Sequence, residues 1–166
     1  MRRLLLLFFL IYHSGAYAIR IYVDNTAVTG FNDGTSWVDA YLNIESAFVK
    51  AKPGDVIWVA AGRIYASSNR DVSYKLPNKV AVYGGFLRTE ADESERDLTL
   101  YKTYLDGDIG IKGNSSDNSR RILSISHTDS TTILDGFHLV NANNDFVIGQ
   151  GAALFLEIGR ASCRER

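Results

Sequence analysis

From Asp55 onward the chain is built of short apolar runs, none long enough for an ordinary helix. They are Val56–Ala60, Val80–Tyr83, Thr103–Leu105, Ile122–Ile125, Ile133–Leu134, Phe137–Val140 and Ala152–Leu156. Clusters of Gly, Asn and Asp separate them: Gly84-Gly85, Asp106-Gly107-Asp108, Asn114 to Ser119, Asp135-Gly136 and Asn141 to Asp145. Runs of this length bounded by turn residues read as strands. The main runs recur about every 15–25 residues, which points to a repeat array rather than a sandwich of regular hairpins. No strand pair is joined by a two-residue Asn-Gly turn. Asp135-Gly136 fits a hairpin turn and a solenoid corner equally well. The polar stretch Arg88–Lys102 reads as a surface excursion. With 46% apolar residues, 14 glycines and two prolines among 166 residues, neither a collagen-like nor a disordered chain is compatible.

Before Asp55 the pattern differs. Met1-Arg2-Arg3, the apolar run Leu4–Tyr12 and Ala16-Tyr17-Ala18 have the three-part order of a secretory signal peptide, with cleavage expected after Ala18. The run is too short to span a bilayer stably. Ile19–Val23 alternates as a strand, and Asp24–Gly34 reads as a loop. Trp37, Ala40, Tyr41, Ile44, Ala47, Phe48 and Ala51 then fall on one face of an amphipathic helix, ended by Pro53-Gly54-Asp55. Thr35 or Ser36 can cap that helix, or Asn43 can start a shorter one. At the other end, Glu157–Arg166 has no periodicity and matches, in register, one translated frame of a common short-read sequencing adapter. Residues 157–166 are therefore expected to be read-through rather than native.

The native mature segment is expected over 19–156. Of 18 basic residues, Arg2, Arg3, Arg160, Arg164 and Arg166 fall outside it, leaving 13; of 19 acidic residues, Glu157 and Glu165 fall outside, leaving 17 and a net charge of −4. The single cysteine, Cys163, also falls outside. Such a segment is a poor match to a nucleic-acid binder or a disulfide-stapled secreted domain. It suits a bacterial periplasmic or surface protein.

The helix followed by Ala51–Tyr65 resembles the N-terminal cap and first rung of pectin-lyase-like right-handed parallel β-helices. The chain is similar to bacterial exported β-helix proteins related to polymorphic outer-membrane proteins. The resemblance rests on an ordered set of pieces: Ile21–Asp24, Asn32–Trp37, Tyr83–Phe86, Arg96-Asp97, Leu105–Ile109, Asp117–Ser119, Leu134–Phe137 and Gly149–Ala152. It implies an all-β fold, a right-handed parallel β-helix with an N-terminal capping α-helix, of which 19–156 supplies the cap and first coils. Stacked coils need a lid on the first one, because an open strand edge invites pairing with other chains. The stretch Ala152–Leu156 has no lid after it, so further coils are expected beyond.

Four groups of residues bear on chemistry. Asp106, Asp108, Asp117, Asp129, Asp135 and Asp145 carry oxygen ligands of the kind calcium takes, but turn chemistry accounts for them without a metal. His13 lies in the leader, and His127 and His138 lack a third metal-ligating partner; His138 points away from the face of Phe137 and Leu139. Lys112, Arg120 and Arg121 lie near the Asp106/Asp108 turn, yet no pair of carboxylates is fixed at a working distance. Trp58, Tyr65, Tyr74, Tyr83, Tyr101 and Tyr104 are expected to pack as strand residues, with a sugar-stacking strip as the alternative. No catalytic, cofactor-binding or metal site is assigned. The expected role is that of an exported protein at the extracellular or outer-membrane surface, or in the periplasm. It would be adhesive or surface-interacting and contact surface glycans or proteins, without nucleic acid or a transmembrane span. The alternative is a polysaccharide lyase or glycoside hydrolase whose catalytic coils lie beyond this segment.

Overall fold

The computed structural model describes residues 18–126, 129–145 and, as backbone, the strand Leu154–Glu157. The expected leader up to Tyr17, His127 and the tail from Ile158 lie outside the described residues. In chain order the elements are β1 (Arg20–Val23), α1 (Ile44–Lys50), β2 (Val56–Ala60), β3 (Gly62–Tyr65), β4 (Tyr74–Lys75) and β5 (Ala81–Phe86). Then come β6 (Thr103–Asp106), β7 (Leu123–Ser126), β8 (Ile133–Asp135), β9 (Phe137–Val140) and β10 (Leu154–Glu157).

The fold is β-rich, with three short sheets ordered β1-β2-β5-β8, β3-β6-β9 and β4-β7-β10. Every pairing among these strands is parallel. From β2 onward, each strand's sheet neighbour lies three strands along the chain. β8 and β9 flank Asp135-Gly136 but belong to different sheets, so that dipeptide is a corner and not a hairpin turn. The return from β2 to β5 in the first sheet falls within the expected spacing, Val56 aligning with Ala81, but the next return is about twice as long, Ala81 aligning with Ile133. The second interval is stretched by the segments 87–102 and 107–122.

Parallel register stacks residues of the same kind. Ile21, Ile57, Val82 and Leu134 align across the first sheet, and Ile64, Leu105 and Leu139 across the second. These residues belong to one apolar core, with Ile57, Val82 and Leu105 fully enclosed. Tyr74 and Leu123 align in the third sheet and join the same core. Parallel sheets are characteristically covered on both faces. Here the outer face of the first sheet carries a second, aromatic layer. Trp58 and Phe86 stack with centroids 4.3 Å apart, and Tyr22 meets Trp37 edge-on at 4.8 Å. The Arg20 guanidinium lies 3.6 Å from the Trp58 ring centroid, within cation–π range.

The helix is shorter than its apolar period suggests. Asn43 is the cap, its side chain accepting from the Glu45 amide, and only Ile44–Lys50 is helical. Ile44, Ala47 and Phe48 are buried in the core, where Phe48 meets Tyr74 edge-on. Trp37 and Ala40 do not continue this helix. Asp39 draws the preceding stretch into a tight turn: its carboxylate accepts from the Phe31 amide and the Ser36 hydroxyl, and its carbonyl accepts from the Asp33 and Gly34 amides. The same stretch covers the outer edge of β1: Tyr22 donates to the Gly34 carbonyl, Tyr41 to that of Tyr22, and Asp24 to that of Tyr41. Trp37 thereby faces the aromatic layer rather than the interior.

Gly84 and Gly136 are packed backbone to backbone. A Cβ built on Gly84 meets the Gly136 carbonyl oxygen at 2.6 Å, and one on Gly136 meets that of Gly84 at the same distance. Gly136 also has φ +77°, a conformation that L side chains rarely adopt. Two substitutions test this arrangement by urea unfolding. Leu105→Ala removes a side chain enclosed on all sides and is expected to cost about 2–5 kcal/mol. Gly136→Ala is expected to lower the midpoint, whereas Gly113→Ala, which has open space around its Cβ at a similar positive φ, reports the φ penalty alone.

Candidate functional site

The second sheet presents its outer face to solvent. On β3, Ile64 points into the core, so Arg63 and Tyr65 point out; on β6, Leu105 points in and Tyr104 out. On β9, His138 is exposed while Leu139 packs on the core. Register then aligns Arg63, Tyr104 and His138 across three adjacent strands. The Arg63 guanidinium lies 4.8 Å from the Tyr104 ring centroid, and the His138 ring is 5.1 Å from it on the next strand. A cation, a phenol and an imidazole thus form one row, in which the side chain of Arg63 is 42% exposed.

Asp106 anchors the row from beneath. It is 2% exposed and accepts from Arg63, from the Asp108 amide at 3.0 Å and from the Asn141 side-chain amide at 2.8 Å. Burial raises the Asp106 pKa, but these hydrogen bonds and the Arg63 charge outweigh it, leaving the carboxyl below its ordinary value of 3.8. Asp24 is held the same way: burial raises its pKa, while Arg88 and Thr26 lower it further. Both carboxylates act as structural acceptors that tie distant segments together.

Beyond the row, the segment after β6 is fixed by its own polar groups. The Asp108 carboxylate accepts from the Gly113 amide, Asp117 from the Ile111 amide at 2.7 Å, and Asn114 caps a 3-10 turn over Ser115–Asp117. The Ser119 amide donates to the Gly107 carbonyl and closes the excursion. Between this segment and Tyr65 lies a groove of about 350 Å³, lined by Tyr65, Ser68, Asp108, Ile109 and Lys112 among others.

The residues singled out from sequence divide accordingly. Trp58 and Tyr74 are buried, and the Tyr74 hydroxyl donates to the Tyr65 carbonyl at 2.8 Å. Tyr83 lies beneath Arg96, 4.8 Å from the guanidinium. Tyr101 is half-buried. These four do not make a strip; Tyr65 and Tyr104 share the outer face of the second sheet. Among the turn carboxylates, Asp135 pairs with Arg96, Asp129 with Lys79, and Asp145 with both Arg70 and Arg120. Among the described residues no three His, Cys, Asp or Glu side chains gather as a metal set. No helix among those residues is long and apolar enough to cross a membrane. Arg63 was not singled out as a functional residue. Its signal was positional, since it lies two residues before Tyr65 on the same strand face.

Searches against protein-family models, curated proteins and solved structures found no match to this chain.

The buried carboxylates of Asp24 and Asp106 give the protein an acid limb. Their folded pKa lies below the unfolded value, so their contribution is present above about pH 4 and is lost as pH falls through the folded value. Urea unfolding midpoints are expected to be level from pH 7 to 5 and to drop below pH 4. Asp106→Asn is expected to cost about 1–3 kcal/mol at pH 7 and to show a shallower acid drop than the parent.

Proposed function

We propose that the chain is part of an exported parallel β-helix protein whose outer strand face makes contacts at a cell surface, in an adhesive or surface-interacting role. The three-strand stride of parallel pairing supports the β-helix reading, which is finer than a β-rich fold with three parallel sheets. The signal-peptide pattern of residues 1–18 supports export.

The observation that carries the contact role is the solvent-facing row Arg63–Tyr104–His138. Backbone register, not loop conformation, sets its spacing. Aromatic rings and arginines are the residues that dominate contact energies at interfaces. Arg63 is already held by Asp106, which limits the side-chain freedom it has to lose on binding. The nearby carboxylates are engaged by Arg63, by backbone amides and by Asn141. A binding role therefore fits this face better than acid–base catalysis.

The full chain is to be applied to a panel of immobilised surface glycans and extracellular proteins, with Tyr104→Ala/His138→Ala alongside. The parent is expected to bind at least one panel member, and the double variant to bind about tenfold more weakly with an unchanged unfolding midpoint. Equal binding by both proteins, or no binding by the parent, removes the support for this role.

A further inference from the structure

Three carboxylates are buried among the described residues, those of Asp24, Asp55 and Asp106. Two of them have a cationic partner: Arg88 meets Asp24, and Arg63 meets Asp106. Asp55 is only 4% exposed, yet among the described residues no Lys, Arg or His side chain stands within salt-bridge distance of it. A buried charge is costly unless it is paired and hydrogen-bonded. The donors that reach Asp55 are two main-chain nitrogens. One carboxylate oxygen accepts from the Lys52 amide at 2.8 Å, and the other from the Ile19 nitrogen at 3.0 Å.

Backbone pairing fixes this contact. Asp55 lies in the turn between α1 and β2, and Ile19 immediately precedes β1. The Ile19 carbonyl accepts from the Val56 amide at 2.9 Å, so the start of the β1–β2 ladder holds the Ile19 nitrogen against the carboxylate. On the other side of that nitrogen, Ala18 is exposed. With Asp92 and Glu93 it lines an open cleft of about 350 Å³. The bond between Ala18 and Ile19 is the one at which the leader is expected to be cut. The expected processing site and the missing counter-charge of a buried carboxylate therefore meet at one atom. With the leader attached, that atom is a neutral amide with one proton to donate. Hydrolysis of the Ala18–Ile19 bond consumes one water, leaves a carboxylate on Ala18 and leaves an ammonium on Ile19. The nitrogen then carries a full charge and three donors. Charge-assisted hydrogen bonds are about twice as strong as neutral ones. Asp92 and Glu93 add negative charge beside the cleft, while the Arg20 guanidinium is turned onto the Trp58 ring and the Ala91 carbonyl.

We propose that Asp55 is the receptor for the α-ammonium that leader removal creates on Ile19, so that processing after Ala18 completes a buried ion pair and fastens β1 onto β2. The proposal rests on the reading of residues 1–18 as an export leader and needs no ligand on the outer strand face. Its consequence is conformational. β1 begins the first sheet, and the pair closes the end of that strand at which the leader departs. A leader-bearing chain lacks the pair and opens more readily at β1 than the processed protein does. Because hydrolysis is not reversed in water, leader removal acts as a one-way stabilising switch.

The test uses the full chain, exported with its leader from a bacterial host and purified as processed protein. Sequencing from the N-terminus is expected to read Ile-Arg-Ile-Tyr. The processed protein is then acetylated at pH 6.5. An α-amine ordinarily titrates at about 8 and a lysine at about 10.4, so the reagent takes the α-amine first. Acetylation puts a neutral amide back where Ala18 is joined in this structure, so it removes the charge without adding bulk that the fold has not accommodated. It is expected to lower the urea midpoint by about 1 M and to leave the midpoint of Asp55→Asn unchanged. The labelling rate needs no variant. The reagent takes only the unprotonated amine, and a paired carboxylate favours the protonated one. The folded parent is therefore expected to react about tenfold more slowly at its α-amine than a peptide of residues 19–24. The pair is overturned if the first residue is not Ile19, or if acetylation leaves the parent midpoint in place. It is also overturned if acetylation lowers the parent and Asp55→Asn alike, or if the folded parent is labelled as fast as the peptide. A retained leader removes the export reading together with the pair. Ile19 as first residue with no effect of acetylation removes the pair and leaves the export reading standing.

Discussion

Parallel backbone register is the constraint on which the rest of this structure depends. Once β2 pairs with β5 and β5 with β8, side chains from Val56 to Trp58 lie beside their counterparts on the next strand, up to a register shift between Trp58 and Ala60. Like must then stack on like. Ile57 on Val82 on Leu134 yields a continuous apolar column, and no polar residue can enter that column without finding a partner. The same rule operates outward, where Arg63, Tyr104 and His138 are brought into a row by pairings that their local sequence does not encode. Core and outer row are two sides of one hydrogen-bond ladder.

The long segments between strands are held by charge and by aromatic packing rather than by further sheet. Arg88 reaches Asp24, Arg96 reaches Asp135, and Arg120 bridges Asp71 and Asp145. Each pair joins positions far apart in the chain. Pairs that are mostly exposed add little stability singly, but Asp24 and Asp106 are enclosed and hydrogen-bonded several times, so removing a partner there leaves a buried acceptor short. The aromatic layer of Tyr22, Trp37, Trp58 and Phe86 shields the outer face of the first sheet. The second sheet keeps a row of cation and ring open to water.

Strands that contain a short apolar run bounded by turn residues were legible from sequence, namely β1, β2 and β5 to β10. β3 and β4 were not. Two residues, Tyr74-Lys75, carry no periodicity, and their strand character comes from pairing with Leu123-Ser124. Trp37 was misleading for the opposite reason. Its spacing to Tyr41, Ile44 and Phe48 agrees with a helical face, yet the Asp39 hydrogen bonds and the edge of β1 hold the residues on either side of it in a turn. In the candidate site, the alternation Phe137-His138-Leu139 was enough to turn His138 outward. That it stands beside Tyr104, 34 positions earlier, depends on the lengths of the excursions between them, and no local pattern records those.

The stride of three has a temporal meaning as well. β5, β6 and β7 each find their template in β2, β3 and β4, which precede them in the chain. A ribosome or an export channel releases the polypeptide in that same order. From β5 onward each newly released strand therefore meets a partner already delivered, while β3 and β4 stay unpaired until β6 and β7 arrive. The long loops make each docking step entropically slow, yet the order of steps is fixed by the topology. A chain with this connectivity is suited to being folded while it is still being delivered.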